Sequence, residues 1–217
     1  MNVEQARFNM IEQHIRTWEV LDDSVLSLLA VVKREDFVAE AYKPLAFVDT
    51  EVPLPEGQCM LAPKVEARLL QELKVARHEK VLEVGTGSGF MAALLGHKAQ
   101  QVITMEIRPK LAEFARQNLK RAGVFNVQVR EGDGAPGLPE EGPFDAILLS
   151  GSLAEVPQQL LRQLKVGGRL EAIVGYEPVM RAVLVTRVGE SAFHRVELFD
   201  TVAPRLVGFE EPPKFKF

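Results

Sequence analysis

Apolar side chains near the start of the chain recur at helical spacing. Phe8, Ile11 and Ile15 form one stripe, and Val25, Leu28, Leu29 and Val32 form a second. Asp22, Asp23 and Ser24 precede the second stripe and offer capping oxygens, so the spacing predicts two amphipathic helices. Between Tyr42 and Pro63 the periodicity fails while Pro44, Pro53, Pro55 and Gly57 accumulate, which predicts an irregular connecting loop of the kind that carries function. Pro63 suits the first turn of a further helix, with Val65, Leu69, Leu70 and Leu73 as its buried stripe.

From Lys80 onward the pattern changes. Short apolar runs at residues 81–84, 102–105, 127–129 and 144–149 alternate with helical stretches, the signature of a parallel α/β sheet. A helix over residues 157–164, ended by Gly167-Gly168, leads to a fifth strand at residues 169–174. Residues 182–188 and 193–199 flank Gly189-Glu190-Ser191 and predict an antiparallel hairpin. The expected fold is therefore α/β: a Rossmann-like, doubly wound, mostly parallel seven-stranded sheet with a C-terminal antiparallel hairpin and an N-terminal helical extension. Residues 1–62 supply the extension and a substrate loop, and residues 63–217 the core, packed as one compact unit. The tail from Pro212 to Phe217 reads equally as a mobile end or as an interface strand.

Composition narrows the function classes. With 217 residues, 47% hydrophobic and 26% charged, the chain has enough apolar surface for a large core and is unlike a disordered protein. A net charge of −4 argues against a general nucleic-acid binder, which needs a basic face to displace counterions. Cys59 is the sole cysteine, which excludes intrachain disulfides and multi-thiolate metal sites and suits a reducing compartment. Glu4 stands where a signal peptide needs apolar residues, and the apolar run at residues 25–32 is too short to span a bilayer. A soluble cytoplasmic protein is expected, with no metal and no membrane or nucleic-acid partner; the oligomeric state is left open.

The sharpest chemical feature is Glu83-Val84-Gly85-Thr86-Gly87-Ser88-Gly89, placed between the first strand of the parallel run and the helix that follows. Glycines at such a turn let backbone approach a ligand without a Cβ clash, and the amides at the helix start can donate to it. The dinucleotide fingerprint sets its third glycine three residues after the second, where this chain has Phe90, so the spacing disfavours a nicotinamide enzyme. Glu106 ends the second strand about 20 residues past the first glycine, where a carboxylate can accept from both hydroxyls of a ribose. Gly132-Asp133-Gly134 follows the third strand and suits an adenine edge. Taken in order, these residues predict a nucleoside-cofactor site at the carboxyl ends of adjacent strands.

In these motifs the chain resembles the class I S-adenosylmethionine-dependent methyltransferases. It resembles more narrowly the protein-L-isoaspartate O-methyltransferase family, over about residues 7 to 190. The match includes Arg34-Glu35-Asp36-Phe37-Val38, Ala46-Phe47-Val48-Asp49, Gly57-Gln58, Phe144-Asp145-Ala146-Ile147 and Leu164-Lys165-Val166-Gly167-Gly168-Arg169-Leu170. The resemblance implies S-adenosyl-L-methionine as cofactor, held by Glu83, Gly85, Thr86, Gly87, Ser88, Gly89, Glu106, Asp133 and Gly134. It implies methyl transfer to the side-branch carboxylate of isoaspartyl residues in damaged proteins, a repair function with a protein or peptide substrate. Such an acceptor is already ionised at neutral pH, so the enzyme needs mainly to align it and exclude water.

The family's substrate loop reads Gln-Thr-Ile-Ser-x-Pro followed by His or an aromatic residue. Here Gln58 and Pro63 are retained, Cys59 replaces Thr, Leu61 stands where the Ser hydroxyl belongs, and Lys64 replaces the ring. Leu61 cannot donate a hydrogen bond to a carboxylate. Either Lys64 supplies a compensating cation, or the pocket takes a different acceptor; a non-catalytic cofactor-binding module is the third alternative. Altered or weakened isoaspartyl activity is the favoured expectation. Cys59 reads as a small packing residue rather than a nucleophile. Residues 202–208 depart from the family's Phe-Val-Pro-Leu ending.

Overall fold

Asn2 caps helix α1 (Val3–Met10) in the computed structural model, which describes residues 2–209. The helix passes into a π-helical turn (Ile11–Ile15) and a 3-10 turn (Arg16–Trp18), stopped by Glu19 in the left-handed conformation at φ 61°. The expected stripe is corrected at Phe8, which is 59% exposed. Arg7 takes the inward place because its guanidinium meets the buried Glu35 carboxylate, and Met10, Ile11 and Ile15 complete that face. Helix α2 (Asp23–Val31) is capped by Asp22, whose carboxylate accepts from the Ser24 and Val25 amides.

The connecting segment is built of 3-10 turns (Arg34–Phe37, Glu40–Phe47) and a small antiparallel pair, β1 (Val52–Pro53) with β2 (Cys59–Met60). Pro63 then opens α3 (Pro63–Leu73), whose buried residues include the expected Val65, Leu69, Leu70 and Leu73 and also Glu66.

Seven strands form the main sheet: β3 (Lys80–Val84), β4 (Gln101–Glu106), β5 (Val127–Glu131), β6 (Phe144–Leu153), β7 (Leu164–Tyr176), β8 (Val179–Arg187) and β9 (Phe193–Thr201). Their order is β5-β4-β3-β6-β7-β8-β9, parallel from β5 through β7 and antiparallel at β8 and β9. Helices α4 (Phe90–Lys98) and α5 (Pro109–Arg121) make the crossovers on one side of β3. The expected helix at residues 157–164 is only a single turn, α6 (Gln158–Leu161), because β7 already begins at Leu164. Gly167 and Gly168 do not end a helix. They lie where the β6–β7 register slips from Phe144–Leu164 to Ala146–Arg169, and a Cβ on Gly168 would come within 3.0 Å of the Asp145 and Phe144 carbonyls.

Val81 and Val102 belong to one apolar cluster, their neighbours Leu82 and Ile103 to another. Both faces of the sheet are therefore covered, which is why these strands read as continuous apolar runs. Ile15 and Val25 from the N-terminal helices share the first cluster with Leu69 and Leu94. Among the described residues no helix is long and apolar enough to cross a membrane. The tail from Pro212 to Phe217 lies outside the described residues.

Candidate active site

Strands are added outward from β3 to β4 and β5, and the chain then returns to place β6 on the other side of β3. That reversal opens a crevice at the carboxyl ends of β3 and β6, where open α/β sheets bind ligands. The turn after β3 fills its floor. Gly85 and Gly87 have φ of 95° and 54°, and Gly85 and Thr86 both donate to the Met105 carbonyl, which draws the turn against β4. Gly89, at φ 84°, is the N-cap of α4 and also packs closely: a Cβ there would meet Ala115 of α5 at 3.3 Å.

Glu106, buried at the end of β4, faces this turn. Its Oε2 accepts from the Gly87 amide at 2.9 Å and its Oε1 from the Arg108 amide at 3.1 Å. Burial raises this carboxyl above its ordinary value, against the pull of those amides. Each oxygen keeps a further lone pair for a ligand hydroxyl. Met105, Ile107 and Leu111 add an apolar wall to the same cavity, and Gly134 reaches it from the loop after β5. Asp133 is exposed outside that lining, with Oδ1 accepting from the Ala135 amide at 2.9 Å.

Glu83 lies deeper. It is 0% exposed, and its two oxygens accept from Ser150 Oγ and Thr104 Oγ1, each at 2.7 Å; Thr104 also contacts Thr86 Oγ1 at 2.6 Å. These bonds tie β3, β4 and β6 together beneath the crevice. Burial pushes the Glu83 carboxyl up to about 7.

The loop before α3, expected from the sequence to face the substrate, forms another side of the crevice. Gln58, Cys59 and Leu61 line the crevice, and Cys59, Met60 and Leu61 continue into an adjoining cavity with Glu66, Thr86 and Ser88. Lys64 is not brought there. Its ammonium lies 2.6 Å from Asp49 Oδ2 and 5.2 Å from the Trp18 ring centroid. Cys59 donates to Glu51 Oε2 at 3.3 Å, and burial pushes its thiol up to about 12, which keeps it protonated and non-nucleophilic.

Three contributors were not singled out from the sequence. Arg34, 1% exposed, holds the loop by donating to the carbonyls of Ala46 and Leu61. Glu66 joins it, with Arg34 Nε 3.2 Å from Glu66 Oε2. One signal for Glu66 was available: residues 66, 69, 70 and 73 share one helical face, so this carboxyl falls in the apolar register of α3. The third is the segment after β9, where Pro204, Arg205, Leu206 and Val207 wall the same crevice as Glu106.

A Rossmann-like sheet with a glycine turn, a carboxylate ending the next strand and a lined crevice defines a nucleoside-binding α/β protein of the methyltransferase class. The family follows from comparison. The chain belongs to the Protein-L-isoaspartate(D-aspartate) O-methyltransferase family, whose model matches residues 5–199. A protein-L-isoaspartate O-methyltransferase of Koribacter versatilis is 40% identical over 202 residues, covering 93% of this chain and 90% of that one. One of Myxococcus xanthus is 44% identical over 156 residues, covering 72% and 74%. In fold, the chain matches a Plasmodium falciparum protein-L-isoaspartate O-methyltransferase solved with S-adenosyl-L-homocysteine. The TM-score is 0.77 at 22% identity, covering 94% of this chain and 97% of that one.

Proposed function

We propose that this protein is an S-adenosyl-L-methionine-dependent O-methyltransferase acting on the side-branch carboxylate of isoaspartyl residues in proteins. The observation that carries the reading is the convergence of Glu106, the Gly85–Gly87 turn and the Gln58–Leu61 loop on one crevice. The residues present fit the cofactor: side-chain-free backbone at Gly85 and Gly87, the Glu106 carboxylate for ribose hydroxyls, and Met105, Ile107 and Leu111 for an adenine face. When bound, it supplies a sulfonium methyl that passes to an acceptor oxygen while the carbon–sulfur electron pair stays on sulfur.

The chain's own work is positioning. Arg34 fixes the Leu61 carbonyl, so the loop presents one face to the crevice; Leu61 and Met60, both buried, exclude water from it. A carboxylate acceptor needs no base, and alignment alone supplies about 7–11 kcal/mol. A cytoplasmic location fits the single free thiol. The deciding experiment is methyl transfer from labelled S-adenosylmethionine to an isoaspartyl peptide and to its aspartyl twin, using protein whose S-adenosylhomocysteine binding has been measured. Selective labelling of the isoaspartyl peptide is expected. A different acceptor is the second reading, favoured by Leu61 at the hydroxyl position, and no transfer from cofactor-competent protein would select it.

A further inference from the structure

A carboxylate seated beside Leu61 needs a hydrogen-bond donor, because an unsatisfied buried charge costs several kcal/mol. Lys64 is engaged by Asp49, and the Arg34 guanidinium is spent on Glu66 and the carbonyls of Ala46 and Leu61. Ser150 already donates to Glu83, and Cys59 to Glu51. Glu66 remains. It is 4% exposed and lines the cavity with Leu61 and Met60; Arg34 reaches its Oε2, and among the described residues no hydrogen bond reaches its Oε1.

We infer that the Glu66 carboxyl donates from Oε1 the hydrogen bond that holds the acceptor carboxylate, replacing the hydroxyl that Leu61 lacks; this rests on the isoaspartyl reading above. A carboxyl donates only when protonated. Burial pushes Glu66 up to about 7, against the charge and hydrogen bond of Arg34. The other titratable groups around the pair are Glu83, raised to about 7 by burial, Cys59, raised to about 12 by burial, and Asp49, which acts on Arg34. An arriving anionic carboxylate adds a like charge, so the two carboxyls share one proton. The proton stays on Glu66 during methyl transfer, and the neutral ester, a weaker acceptor than the carboxylate, is then released.

The test is the pH profile of kcat/KM for the isoaspartyl peptide between about pH 6 and about pH 9, with peptide binding to the S-adenosylhomocysteine-loaded protein measured in parallel. The wild type is expected to fall about tenfold per pH unit on the alkaline side and to take up a proton on binding peptide, read by calorimetry in buffers of different ionisation enthalpy. Glu66→Gln keeps a donor and is expected to be active with neither the alkaline limb nor the proton uptake. Glu66→Leu is expected to lose roughly 10- to 100-fold in kcat/KM at about pH 6, a deficit that narrows as the wild type itself falls with rising pH. A wild type flat in pH, or a limb that persists in Glu66→Gln, overturns the inference. So does a loss in Ser88→Ala alone, which would assign the donor to the Ser88 hydroxyl in the same cavity. Absence of peptide methylation by cofactor-competent wild type overturns the acceptor reading itself.

Discussion

Leu206 lies over Gly85: a Cβ at Gly85 would stand 2.8 Å from Leu206 Cδ2 and 3.4 Å from the Ser150 carbonyl oxygen. The segment that carries Leu206 is pinned to β6, with the Leu206 amide donating to the Ser152 carbonyl at 3.0 Å and the Ser152 amide to the Pro204 carbonyl at 2.8 Å. The chain thereby returns, after β9, to wall the cavity built by the turn after β3.

Leu206→Ala is expected to loosen that wall. S-adenosylhomocysteine should dissociate several-fold faster in stopped-flow measurements, while half-burial of the side chain limits the loss of stability to about 1–2 kcal/mol. An unchanged dissociation rate would leave Leu206 with a packing role only.

Glu106→Ala removes the carboxylate that the Gly87 and Arg108 amides hold in place. Each lost charged hydrogen bond is worth about 1.5–3 kcal/mol, so calorimetry should show cofactor affinity weakened at least tenfold. Equal affinity in the variant would remove Glu106 from the site.

Gly87→Val puts a β-branched side chain at φ 54° with Leu54 Cδ1 already 3.4 Å from the new Cβ. The left-handed backbone costs about 1–2 kcal/mol for an ordinary residue and more for a branched one. Cofactor binding should be abolished while circular dichroism reports a largely intact fold, since the turn lies at the crevice rather than in the sheet.

Glu171 on β7 is 0% exposed, and neither of its carboxyl oxygens has a hydrogen-bond partner among the described residues. Burial raises this carboxyl well above its ordinary value of 4.5, with Glu72 adding repulsion and Arg169 and Arg68 opposing it. Below the unfolded-state value both states are protonated and the group is silent. As pH rises above it, the unfolded chain ionises first, and the folded state loses about 1.4 kcal/mol per pH unit until its own raised value is reached. Glu171→Leu is therefore expected to melt higher than the wild type, by a margin that is smaller near pH 4 than at neutral pH. Thermal denaturation across that range tests it; a margin that shrinks as pH rises would contradict the assigned shift.

Burial on both faces, the parallel order from β3 to β7 and the terminal hairpin were legible in the sequence, because apolar runs and glycine punctuation report local burial directly. The glycine turn and Glu106 were legible for the same reason: each acts within a turn or at a strand end. Lys64 shows the limit. Its position beside Pro63 suggested a cation for the acceptor, and the fold instead turns it to Asp49, 15 residues earlier.

Arg34 reaches the Leu61 carbonyl across 27 residues, Glu83 accepts from Ser150 across 67, and Leu206 closes on Gly85 from the far end of the chain. No periodicity encodes such pairings. Which donor meets which acceptor is settled by competition among all polar groups that the packed core brings into one low-dielectric space, where an unmade hydrogen bond is costly. The sequence by itself thus determined the sheet, the glycine turn after β3 and the carboxylate that faces it. Only the tertiary structure decided that Arg7 displaces Phe8 from the buried face, that Glu66 lines the cavity beside Leu61 while Lys64 pairs with Asp49, and that the segment after β9 walls the crevice above the glycine turn.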